Sequence, residues 1–75
     1  MTVLIASIFF IEFSLYETTD VEDLKKWFAD GWHSGVYTPL DPTKHRLIGD
    51  QDSMTVEEVT SLADIVIGTE EMEER

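Results

Sequence analysis

From Val3 to Ile11 nearly every position is apolar, and from Phe9 to Tyr16 apolar and polar residues alternate. A strand buried on both faces over its first half and on one face over its second has this pattern. β-branched and aromatic side chains dominate, which favours strand over helix. Drawn out as a single strand, residues 2–16 would reach roughly 50 Å at about 3.3 Å per residue. That is long for a small domain, so the segment is expected to bend, bulge or project. A projecting apolar strand would offer an edge to a second chain.

The period then changes. In "TTDVEDLKKWFADG" the residues Val21, Leu24, Trp27 and Phe28 form one helical stripe,. Thr19 and Glu22 have the spacing of a capping box, Asp20 is a rival cap, and Gly31 is the expected stop,. "SMTVEEVTSLADIVIG" predicts a second helix, with Thr55 and Glu58 as its capping box and Val56, Val59, Leu62, Ala63, Val66 and Ile67 as its buried stripe,. Between the helices, "GVYTPL" and "KHRLI" suggest two short strands around "DPT", with Pro39 on an edge or at a bulge,.

The expected fold class is therefore α+β. It is a small two-layer domain in the order β-α-β-β-α, with a short sheet and two helices on one face. Residues 1–68 make the compact domain, and 69–75 an acidic, solvated tail. The expected core joins Leu24, Phe28, Val59, Leu62 and Val66 to Ile5, Phe9 and Ile11.

Size and charge narrow the function. A chain of 75 residues buries only about 60% of the surface its unfolded form exposes. With no cysteine to reinforce it, its core is marginal. Sixteen acids against five bases give a net charge of −11, which favours positively charged partners. Direct binding to nucleic acid or anionic lipid needs a basic patch, and Lys25–Lys26 and "KHR" at 44–46 are too short to be one. The apolar N-terminus has no basic residue before Lys25 and is interrupted by Ser7 and Glu12, so neither a signal peptide nor a membrane span is expected. The expected location is the cytoplasm, that of a host cell if the chain is phage-encoded.

Catalytic motifs are sparse. "DQDSMT" at 50–55 follows "RLIG" and resembles the strand-end aspartate motif of haloacid-dehalogenase-type phosphatases. Met54 stands where threonine or valine is expected, and the chain lacks room for the rest of that fold. A turn with carboxylates at a helix start is the expected structure there. The same stretch lacks the glycine and the bidentate glutamate of a calcium loop. His33 and His45 lie far apart, without a metal-ligand spacing,. There is no phosphate-cradling glycine loop and no nucleophile elbow. The expectation is a non-enzyme without cofactor or metal.

What remains is partner binding. Trp32 and Tyr37 are candidate apolar anchors, and Asp50, Asp52, Glu57 and Asp64 are candidate charged contacts. On a helix, Glu57 and Asp64 would sit about 10.5 Å apart on the outer face. DNA carries one charge per about 1.7 Å, so such a helix imitates it sparsely. In size, charge and lack of chemistry the chain resembles, as a class only, the small acidic inhibitors of phages and mobile elements, including anti-CRISPR and anti-restriction proteins. That resemblance implies a protein partner with a basic, nucleic-acid-binding surface. The alternative is an assembly protein that homodimerises through residues 2–16. Adaptation to high salt is a third source of acidity.

Overall fold

Two strands occupy the N-terminal apolar segment where the pattern suggested one. In the computed structural model, which describes residues 1–8 and 12–69, β1 is Thr2–Ile8 and β2 is Glu12–Thr18. They pair antiparallel from Thr2↔Thr18 to Ile8↔Glu12. Folding back settles the length problem, since a straight strand of roughly 50 Å would overrun a molecule whose largest extent is 30 Å. The chain continues through α1 (Val21–Ser34), β3 (His45–Asp50), α2 (Val56–Leu62) and β4 (Ile65–Gly68).

The strands form one mixed sheet in the order β3-β2-β1-β4. β3 runs antiparallel to β2, with a bulge where Leu15 faces Gly49 and Tyr16 faces Leu47. β4 runs parallel to β1, from Leu4↔Ile65 to Ser7↔Gly68. Both β1 and β2 are thus interior strands. Among the described residues, Leu4–Ser7 and Ser14–Thr18 are paired on both sides and offer no free strand edge to a second chain,.

The α+β class, with its small sheet and two helices, is as the pattern implies. The helix placement differs. Leu4, Ala6 and Tyr16 pack with Leu24 and Phe28 of α1 on one face. Ile5 and Leu15 pack with Val59 of α2 on the other. The helices therefore cover opposite faces, because β1 is apolar on both. The expected single core is two small ones. Leu24, Phe28, Val59 and Ile5 are buried as expected, but Leu62 is 52% and Val66 55% exposed. Phe9, Ile11 and the tail from Glu70 onward lie outside the described residues; Thr69, just before them, is fully buried.

Two element ends explain the remaining differences. α2 has the expected capping box, with the Thr55 backbone N–H donating to Glu58 at 2.8 Å and the Glu58 N–H to the Thr55 hydroxyl at 3.2 Å. It stops at Leu62, where Ala63 turns extended (φ −77, ψ 137). "IVIG" then becomes β4. Its apolar spacing fits either period, but its β-branched residues suit a strand, and β1 supplies backbone partners. Ile65 and Ile67 turn to the α1 face. α1 is capped by Asp20, not Thr19; Asp20 accepts from the Asp23 N–H at 3.1 Å. It runs through Gly31 and closes at Gly35, whose left-handed φ of 79 suits glycine,. Of the two short strands expected between the helices only β3 forms, and "GVYTPL" is an extended loop that returns along α1.

Candidate functional site

The sheet topology divides the carboxylates expected to act together. Asp50 ends β3 opposite Ser14, and its Oδ1 accepts from the Asp52 N–H at 3.0 Å and the Ser53 N–H at 3.2 Å. Asp52 is exposed in that turn, and Glu57 is exposed in the first turn of α2. Asp64 sits at the opposite end of the sheet. It exchanges two hydrogen bonds with Val3: its N–H donates to the Val3 carbonyl at 2.8 Å, and its Oδ2 accepts from the Val3 N–H at 3.0 Å. Asp50, Asp52 and Glu57 thus share one end of the molecule and Asp64 occupies the other. Trp32 is partly buried on α1. Tyr37 is 40% exposed and belongs to an aromatic group described below.

Charge is segregated by pairing. Each described lysine and arginine lies on α1 or at the start of β3, beside an acid. Lys25 meets Glu22 at 3.8 Å, Lys26 meets Asp30 at 3.3 Å, Lys44 meets Asp20 at 4.0 Å, and Arg46 meets Glu17. From Arg46 to Arg75 the chain carries no other base. Asp52, Glu57, Glu58 and Asp64 are exposed in that stretch. The segment from Leu47 to Thr69 is therefore uniformly negative, whereas each base before it is paired with an acid; the Arg46–Glu17 pair lies on the sheet face of Leu15, which α2 covers.

A polar trio that no sequence motif announces lies under α1. The Thr18 hydroxyl is 2.7 Å from His45 Nδ1, and His45 Nε2 is 2.8 Å from Asp23 Oδ2. A carboxylate accepts only, so Nε2 carries the proton that faces Asp23; the Thr18 hydroxyl donates to Nδ1 of a neutral ring or accepts from that of a protonated one. The Thr18 oxygen accepts in turn from the Asp20 N–H at 2.9 Å. The order resembles a nucleophile, base and orienting acid, yet Thr18 is 1% and His45 3% exposed. A hydroxyl so enclosed cannot meet a substrate in this conformation. The trio ties β2, β3 and α1 together.

This bonding has a pH consequence. The Asp23 carboxyl is held below its usual range, chiefly by its hydrogen bond to His45. Asp41 is held low chiefly by the hydroxyl of Thr43 and then by its backbone N–H. Lowered acids stabilise the fold fully above their unfolded value of about 3.9, and that contribution is lost as pH falls through their lower folded values. Meanwhile, protonating ordinary carboxylates relieves self-repulsion. The melting temperature is expected to hold or rise from pH 7 to about 4.5 and to fall below about 4. Asp23→Asn/Asp41→Asn should flatten the acid limb in a pH series of thermal melts. An unchanged limb would contradict the assignment.

Between the C-terminal half of α1 and the sheet lies a pocket of about 340 Å³. Tyr16 and Ser14 of β2 form its floor, Trp27 and Phe28 one wall, and Tyr37 its flank, with Glu12 and Asp50 at the sheet end. The rings brace one another. Trp27 and Tyr37 have centroids 5.2 Å apart, Tyr16 meets Trp27 edge-on at 5.9 Å, and Phe28 stacks on Tyr37 at 6.1 Å. The Trp27 indole N–H donates to the Thr38 carbonyl at 2.9 Å, which pins the loop. Burial pushes the Tyr16 and Tyr37 phenols above their ordinary value.

Comparison with family models, curated proteins and solved structures finds no match. The site must be argued from its own geometry. Among the described residues no group of histidines and carboxylates converges as a metal site, and no helix is long and apolar enough to cross a membrane.

Gly31, expected to end the helix, lies inside α1 and marks the pocket. A Cβ on Gly31 would collide with Cδ1 and Cε1 of Tyr37 and lie 2.7 Å from its Cγ. Alanine in a helix is worth up to about 1 kcal/mol over glycine, so the close approach of the ring is what opposes it. Gly31→Ala is expected to destabilise the native chain, yet to stabilise Tyr37→Ala by as much as about 1 kcal/mol. Urea denaturation of the double-mutant cycle reads the sign change. The same sign in both backgrounds would show that the ring does not rest on Gly31.

Proposed function

We propose that the protein is a small binding protein that docks the exposed carboxylates at the end of β3 and the start of α2 on a basic surface of another protein. The observation that carries this is the segregation of charge. The bases described are all matched by acids, whereas Asp52, Glu57, Glu58 and Asp64, which follow Arg46 in the chain, are exposed without a neighbouring base in the chain. Such a field speeds encounter with a positive groove and discriminates against negative surfaces. The finer reading is an inhibitor, of the kind phages and mobile elements carry, that occupies the nucleic-acid groove of a host protein.

The test is capture on the immobilised full chain from a cell lysate, with identification of what is retained. A nucleic-acid-handling protein should be held at about 0.1 M salt, be released as screening rises toward 1 M, and be displaced by duplex DNA. Retained proteins that duplex DNA fails to displace would remove the groove from the proposal. The alternative is a homodimer through residues 2–16; the sheet's edge strands among the described residues are β3 and β4, and this supports the binding protein over it. Light scattering checks it, and a monomer mass is the expected result.

A further inference from the structure

We propose that the aromatic pocket takes the guanidinium of an arginine side chain presented by the partner protein. This rests on the reading above and names the contact that would anchor it. The pocket is walled by Tyr16, Trp27, Phe28 and Tyr37 and bordered by Glu12 and Asp50, and none of the described residues lining it is basic.

Three features fit a guanidinium better than a neutral apolar group. Aromatic faces attract a cation through their quadrupoles, and a planar guanidinium also stacks on them. Tyr37 and Trp27, the more exposed of the rings, are tilted 47° to each other, which offers two faces rather than one continuous stack. The carboxylates stand at one end of the pocket, as a cation entering along the rings requires. Glu12 is exposed there. Asp50 has Oδ1 engaged by the turn of Asp52 and Ser53, so that carboxylate is held in place before any ligand arrives. Gln51 is fixed beside it, its Oε1 accepting from the Phe13 N–H at 3.1 Å. A pre-set site loses less freedom on binding. The pocket also lies at the sheet end that carries Asp50, Asp52 and Glu57, so a basic surface steered to those acids would present its side chains there.

The experiment is an amide and indole NMR titration of the full chain with N-acetyl-arginine amide, with N-acetyl-citrulline amide as its neutral isostere. The expected result is saturable shifts confined to the pocket, including the Trp27 indole and the Ser14 and Gln51 amides, in the millimolar range. Citrulline should bind at least about fivefold more weakly. Glu12→Gln and Tyr37→Leu, each shown to be folded by its own amide dispersion, should each weaken arginine binding about fivefold or more. Equal binding of citrulline, shifts spread over the acidic surface, or undiminished binding by both variants would overturn the proposal. The two readings fail separately. Capture of a basic protein without arginine binding in the pocket removes this inference and leaves the function. Arginine binding without capture keeps the guanidinium site and removes the partner.

Discussion

Leu4→Ala is expected to leave the protein largely unfolded at 37 °C, whereas Leu62→Ala should cost little. Leu4 has no exposed surface and lies at the centre of the α1-face core, among Ala6, Tyr16, Leu24 and Phe28. Truncating a buried leucine costs about 2–5 kcal/mol, because the lost transfer energy adds to that of the cavity. A chain of 75 residues has a total stability of about 4–11 kcal/mol at typical values per residue. Two features place Leu4 at the high end of that cost. It stands on the central strand, hydrogen-bonded on both sides, so its backbone cannot shift to fill the void. The core around it is small, so few neighbours can collapse inward. Leu62 is 52% exposed at the last turn of a seven-residue helix, and losing it should cost under about 1 kcal/mol. Urea denaturation of both variants measures the contrast. Costs within about 1 kcal/mol of each other would mean that the α1-face core is not the main support of the fold.

The Leu62 result shows what the pattern of residues could reveal. Each helix start was legible, because a cap is a local device: Thr55 and Glu58 close their box within four residues. Leu24, Phe28 and Val59 were legible as buried because the stripe of an amphipathic helix is also local. The division of the N-terminal segment into β1 and β2 and the strand at Ile65–Gly68 were not. An apolar run on both sides of a strand is compatible with one long strand or with two, and "ADIVIG" fits a helical stripe as well as a strand. In both places the choice falls to a partner distant in sequence, β2 for β1 and β1 for β4. The same holds for the site. Asp50, Asp52 and Glu57 are near one another because they are close in the chain. Asp64 is separated from them because the crossover through α2 carries it to the other end of the sheet. The Thr18–His45–Asp23 trio and the aromatic pocket each need at least three elements, and the glycine at 31, which the pattern suggested as the stop of α1, proves to be the place where Tyr37 closes on the helix.

That separation sets the most informative binding experiment. Asp50→Asn/Asp52→Asn/Glu57→Gln/Asp64→Asn takes the net charge from −11 to −7 and is expected to weaken partner binding by about 10- to 100-fold at low salt. Stability should change little, because asparagine keeps the oxygen that accepts from the turn at Asp50 and from Val3 at Asp64. Most of the loss should already appear in Asp52→Asn/Glu57→Gln, since these two side chains are exposed at one end. Asp64→Asn alone should matter little, standing at the far end. The control is Glu22→Gln/Asp30→Asn, which removes the same number of charges from residues that face Lys25 and Lys26. Its binding should stay within about twofold of the native chain, because those carboxylates already sit in compensated pairs of small net effect. Affinity for the captured partner, measured at two salt concentrations, decides the matter. Equal losses in the two double variants would mean that net charge, and not the placing of carboxylates at the end of β3 and the start of α2, attracts the partner.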